Sequence, residues 1–158
     1  MRRKFNDLEK KFSDLNLSPN DYFEWLVMLG FIESDLKNYP EAVKDTCRKS
    51  ITWFISKIDL NILPEELFKV VDGTVIFGEV SMFQHTWIEI DNEYILDYTV
   101  CQFDSSLPKL FFKKKSEIDW HDLQFRTNLV QSPADWIKSE MKIQEMLAED
   151  KPLDACLI

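Results

Sequence analysis

Three side chains of this 158-residue chain have the types needed for nucleophilic chemistry: Cys47, His85 and Asp97. Attack on an amide or ester carbonyl requires a thiolate, a base that takes and returns its proton, and a third group that fixes the base's tautomer and orientation. The chain has only two histidines. His85 opens a strand-like segment with an aspartate in the strand that follows, whereas His121, in Asp119-Trp120-His121-Asp122, reads as a polar helix start. Glu89 is the fallback orienting acid. Cys101 becomes the alternative nucleophile if Cys47 is buried.

Whether His85 and Asp97 can meet depends on the turn between their strands. A two-residue turn at Asp91-Asn92 pairs His85 with Tyr98 and puts Asp97 on the opposite face, because side chains alternate along a strand. A three-residue turn, Asp91-Asn92-Glu93, pairs Ile90 with Tyr94 and Trp87 with Asp97. His85, Trp87, Glu89, Ile95, Asp97 and Thr99 then share one face. The triad therefore predicts an odd-length loop or a bulge.

The string His85-x-Trp87-Ile88-Glu89-Ile90, a short turn, then Tyr94-Ile95-Leu96-Asp97-x-Thr99-x-x-Gln102-Phe103 resembles the His and Asp segments of the transglutaminase-like branch of papain-type cysteine enzymes. The resemblance covers roughly residues 45–103. It implies Cys47 as nucleophile at the start of a helix packed on the sheet, His85 as base and Asp97 as orienting carboxylate. It further implies an enzyme acting on amide or acyl groups, as peptidase, deamidase or acyl transferase. The backbone N–H of Cys47 needs a second oxyanion donor, for which Gln84 and Gln102 are the candidates.

The elements that must position these residues follow from periodicity. Residues 4–15 place Phe5, Leu8, Phe12 and Leu15 at helical spacing, and Ser18-Pro19-Asn20-Asp21 offers a cap for a second helix that stops at Gly30. Pro40 can open a third helix to about Lys57, with Val43, Cys47, Ile51, Phe54, Ile55 and Ile58 on one apolar stripe that buries the thiol. A helix beginning near Asp45 or Thr46 instead presents Cys47 at its N-terminus, in the charged setting Thr46-Cys47-Arg48-Lys49-Ser50. The sequence leaves both open. Segments 67–71, 74–80, 85–90 and 94–100 read as a small antiparallel sheet of three or four strands, divided by Asp72-Gly73, Gly78 and Asp91-Asn92. Ser132-Pro133 starts a last helix running to about Glu149. Trp25, Trp53 and Trp87 fit core positions, and Lys113-Lys114-Lys115 reads as a solvated turn.

The expected fold is a single α+β domain: N-terminal helices over 1–39, a catalytic core over 40–131, and a C-terminal helix and tail over 132–158. The net charge of −9, from 19 basic and 28 acidic side chains, repels phosphate backbones and anionic lipid. Neither nucleic acid nor membrane is an expected partner. A protein or peptide substrate, or a basic protein bound by a noncatalytic inhibitor or immunity-type domain, is. Neither an export signal nor a membrane span is expected. Cys47, Cys101 and Cys156 form an odd set without metal-like spacing, which points to a reducing, cytoplasmic setting with no metal or cofactor.

Overall fold

A computed structural model describes residues 10, 12–14, 16–29, 38–44, 46–78, 81–120 and 122–148. Four helices and five strands are described: α1 (Pro19–Leu29), α2 (Tyr39–Ala42), α3 (Cys47–Lys57), β1 (Phe68–Phe77), β2 (Ser81–Ile90), β3 (Tyr94–Asp97), β4 (Phe111–Lys114), β5 (Leu123–Gln131) and α4 (Pro133–Ala148). The strands form one antiparallel sheet in the order β4-β3-β2-β1-β5. The architecture is α+β.

Helix starts follow the expected cap chemistry. Ser18 Oγ accepts from the Asp21 N–H at 3.0 Å, and Ser132 Oγ accepts from the Asp135 N–H at 3.1 Å. Each thereby satisfies a first-turn donor that has no intrahelical acceptor. Of the helix expected over 4–15, Lys10 and residues 12–14 are described and helical, with Phe12 buried. Gly30, Asp45, His121 and Cys156 lie outside the described residues.

Of the two helix starts open in the sequence, Pro40 or near Asp45 and Thr46, the second positions Cys47: a short helix over Tyr39–Ala42 is followed by a separate one over Cys47–Lys57. The Thr46 N–H and hydroxyl both donate to the Val43 carbonyl, at 3.1 and 2.7 Å, closing a turn that competes with the helical ladder. The helix restarts at Cys47, with Thr46 as its non-helical lead-in residue. The apolar stripe survives the break, since Val43, Ile51, Phe54 and Ile58 all enter the core while Cys47 stays half-buried.

The sheet departs from expectation in several places. Asp72-Gly73 does not separate two strands: β1 runs through it, with a register shift against β5. A Cβ on Gly73 would stand 2.2 Å from the Arg126 carbonyl oxygen and 2.5 Å from the Trp87 indole, so glycine marks a close backbone approach. Lys113-Lys114 form part of β4 rather than a turn, with Lys115 just beyond it. The largely exposed β5 adds a fifth strand that the sequence did not suggest.

Alternation along the strands builds two cores. Val70, Ile88, Ile90 and Leu96 face the helices and pack with Phe23, Leu26, Tyr39, Ile51, Phe54 and Trp136. Val71, Val75, Trp87, Ile95, Phe111 and Phe125 face the other way, where Val100 and Ile118 cover them. Trp53 is half-buried and donates through its indole N–H to the Leu26 carbonyl at 3.2 Å, whereas Trp25 is 54% exposed, contrary to its expected core place.

Candidate functional site

The turn that decides the face of Asp97 is the odd one. Ile90 pairs with Tyr94, Glu89 with Ile95 and Ile88 with Leu96, leaving Asp91, Asn92 and Glu93 between the strands. Asp91 and Asn92 have φ of 52° and 58°, a left-handed conformation that Asp and Asn tolerate better than most residues. Two such residues followed by Glu93 set the register.

That register brings two side chains together. The His85 Nε2–H donates to Asp97 Oδ2 at 2.7 Å, with both side chains buried. The second carboxylate oxygen, Oδ1, accepts the backbone N–H groups of Thr99 and Val100, each at 2.9 Å. These bonds end β3 at Asp97 and bend the chain into a short 3-10 turn, Val100–Gln102, instead of letting the strand run to 100. They also fix the carboxylate plane from behind, so that Asp97 can orient the imidazole.

Cys47 stands at the first position of α3 and acts on the same imidazole. Burial opposes charge on His85. Asp97, through its charge and its hydrogen bond, and then the nearby Cys47 together outweigh burial and hold the imidazole above its ordinary value, at about 10. The His85 Nδ1 is buried and makes no hydrogen bond among the described residues. It is the ring nitrogen left for the thiol. No side-chain cap covers the start of α3 and its first turn holds no acidic residue, so the helix dipole favours negative charge there.

The alternatives identified in the sequence are placed elsewhere. Glu89 pairs with Lys115, Oε2 to Nζ at 3.0 Å, and is not the orienting acid. Cys101 is buried in the helical core, and burial first, then the nearby Asp97 charge, pushes its thiol up to about 11. Gln84 is exposed on β2 opposite Thr74, and Gln102 is half-buried in the 3-10 turn after Asp97.

Aromatic side chains frame the imidazole. The Trp87 ring lies near-parallel to it at a centroid distance of 6.3 Å, and Phe103 meets it edge-on at 5.1 Å. Phe103 also stacks on Phe83 at 4.5 Å. These walls exclude water from the His85–Asp97 bond, which strengthens it. Residues not singled out from the sequence also gather here: Arg48, Asp72, Thr86 and Glu140. Their hydrogen bonds join α3, β1, β2 and α4, and sequence spacing carries no signal for such long-range pairs.

No protein-family model, curated protein or solved structure matches this chain. Among the described residues, no three His, Cys, Asp or Glu side chains are grouped to hold a metal, and no helix is long and apolar enough to cross a membrane.

Proposed function

We propose that this chain is a cysteine-dependent enzyme of transglutaminase-like, papain-type architecture that acts on an amide or acyl group of a protein or peptide. The observation that carries this reading is the buried His85–Asp97 bond with Cys47 at a helix N-terminus acting on the same ring. His85 takes the thiol proton, and its raised basicity lets it keep that proton while the sulfur attacks the carbonyl. The tetrahedral oxyanion faces the first-turn N–H groups of α3. His85 then protonates the departing amine, leaving an acyl group on Cys47 that passes to water or to a second amine. Peptide hydrolysis, deamidation and amide transfer share these steps, and a reducing compartment such as the cytoplasm keeps the thiol available.

Site-resolved labelling tests this. A thiol-reactive acyl probe is expected to modify Cys47 ahead of Cys101 and Cys156 in the native protein, with the preference lost in His85→Ala. Equal labelling of the three cysteines contradicts it. The net charge of −9 favours a second reading, a noncatalytic domain that binds a basic protein. That reading expects salt-sensitive capture of a basic partner by a protein whose Cys47 is unreactive.

A further inference from the structure

The residues next to Cys47 and His85 in sequence are tied to each other through one carboxylate. Arg48 follows Cys47, and Thr86 follows His85. The Thr86 hydroxyl donates to Asp72 Oδ1 at 2.6 Å, and Arg48 Nη1 reaches the same oxygen at 3.4 Å. Arg48 is held from its other side by α4: Nε donates to Glu140 Oε1 at 2.8 Å, Nη2 contacts that same oxygen, and the guanidinium lies 5.4 Å from the Trp136 ring centroid. Asp72 sits in β1 directly opposite Thr86 in β2, at the register shift against β5.

We propose that Asp72 is a positioning residue that sets the separation of the Cys47 thiol from the His85 imidazole, by joining their sequence neighbours Arg48 and Thr86. The inference rests on the cysteine-enzyme reading of the site. Its physical basis is direct. Among the described residues, no backbone hydrogen bond fixes the start of α3 against β2, and rates fall steeply when reacting groups are displaced by an ångström. A planar guanidinium, bonded on two sides and set over an indole, holds direction as well as distance. The arrangement also gives α4 a task beyond packing, because Glu140 and Trp136 fix the far side of Arg48. Arg48 and Asp72 are each about a quarter exposed, at 27% and 28%, so the global stability they add is small. The effect to look for is local.

The experiment measures the rate of Cys47 alkylation by iodoacetamide at neutral pH and at about pH 10, where an unassisted thiol is ionised. The full chain is used as wild type, Asp72→Ala, Thr86→Val, Asp72→Asn and His85→Ala. Asp72→Ala and Thr86→Val are expected to lower the neutral rate about tenfold while leaving the alkaline rate unchanged. Thr86→Val removes no charge, so a loss shared by both variants reports geometry. Asp72→Asn keeps an acceptor oxygen for both neighbours and is expected to retain most of the neutral rate. Neutral rates equal to wild type in both variants overturn the proposal. So does a parallel change at both pH values, which reports altered exposure of the thiol. A wild-type neutral rate that His85→Ala leaves unchanged overturns the cysteine-enzyme reading itself, and the proposal falls with it.

Discussion

At the scale of single residues, the His85–Asp97 pair has consequences for stability as well as chemistry. An imidazole whose folded value lies at about 10, against an ordinary 6.5, contributes stability that is fully present below about pH 6.5 and is lost as pH rises through 10. Thermal melts of wild type and His85→Gln should therefore differ most at mildly acidic pH and converge toward pH 10; a constant difference across that range contradicts the pairing. Removing the carboxylate leaves the imidazole buried without its partner, so Asp97→Ala is expected to cost about 3–5 kcal/mol by denaturant unfolding. Asp97→Asn, which preserves shape, should instead act mainly on Cys47 acylation, lowering it at least about a hundredfold. Cys101→Ala should leave acylation unchanged, because that thiol is buried in the helical core, away from solvent and substrate.

At the scale of elements, face is set by loop length. Deleting Tyr94 while the turn Asp91-Asn92-Glu93 is kept pairs Ile90 with Ile95 and Ile88 with Asp97, which turns Asp97 to the opposite face. The deletion variant should keep a sheet signal in circular dichroism and lose the His85-dependent reactivity of Cys47; retained reactivity contradicts the register argument. Gly73 faces His85 across β1 and β2 and leaves room for Trp87 and the Arg126 carbonyl. Gly73→Ala is expected to cost about 1–3 kcal/mol by the same unfolding assay. The odd turn was legible in the sequence because side-chain alternation made it a condition for His85 and Asp97 to meet. The break before Cys47 was legible only as one of two options. Ile51 and Phe54 fit the stripe of either helix, and the deciding bonds from Thr46 to Val43 are local and polar. Strand β5 was hidden because five consecutive residues, 126–130, are exposed and present no apolar alternation.

At the scale of the whole molecule, one sheet separates two cores and carries the base between them. His85 is the first buried residue of β2, following four exposed ones, and its side chain lies on the face covered by the segment after β3. The nucleophile arrives with a helix whose body packs on the other face. The site thus depends on both layers being closed, and the C-terminal helix closes one of them. Trp136 is fully buried and its ring lies beneath the Arg48 guanidinium, so Trp136→Ala is expected to cost about 3–5 kcal/mol and to lower Cys47 reactivity in molecules that remain folded. The two-layer α+β plan was readable from the change of hydrophobic period after Pro64 and from the Ser132-Pro133 helix start. The link through Asp72, Arg48 and Glu140 was not, because it joins residues 24 and 92 positions apart.

The central claim is that His85 activates Cys47. The most direct test is the second-order rate of Cys47 acylation at neutral pH, followed by intact-protein mass in wild type and in His85→Ala side by side. An acyl adduct is expected to form on wild-type Cys47 at least about a hundredfold faster than in the variant, and then to be released to water or an added amine. Equal rates in the two proteins would contradict it.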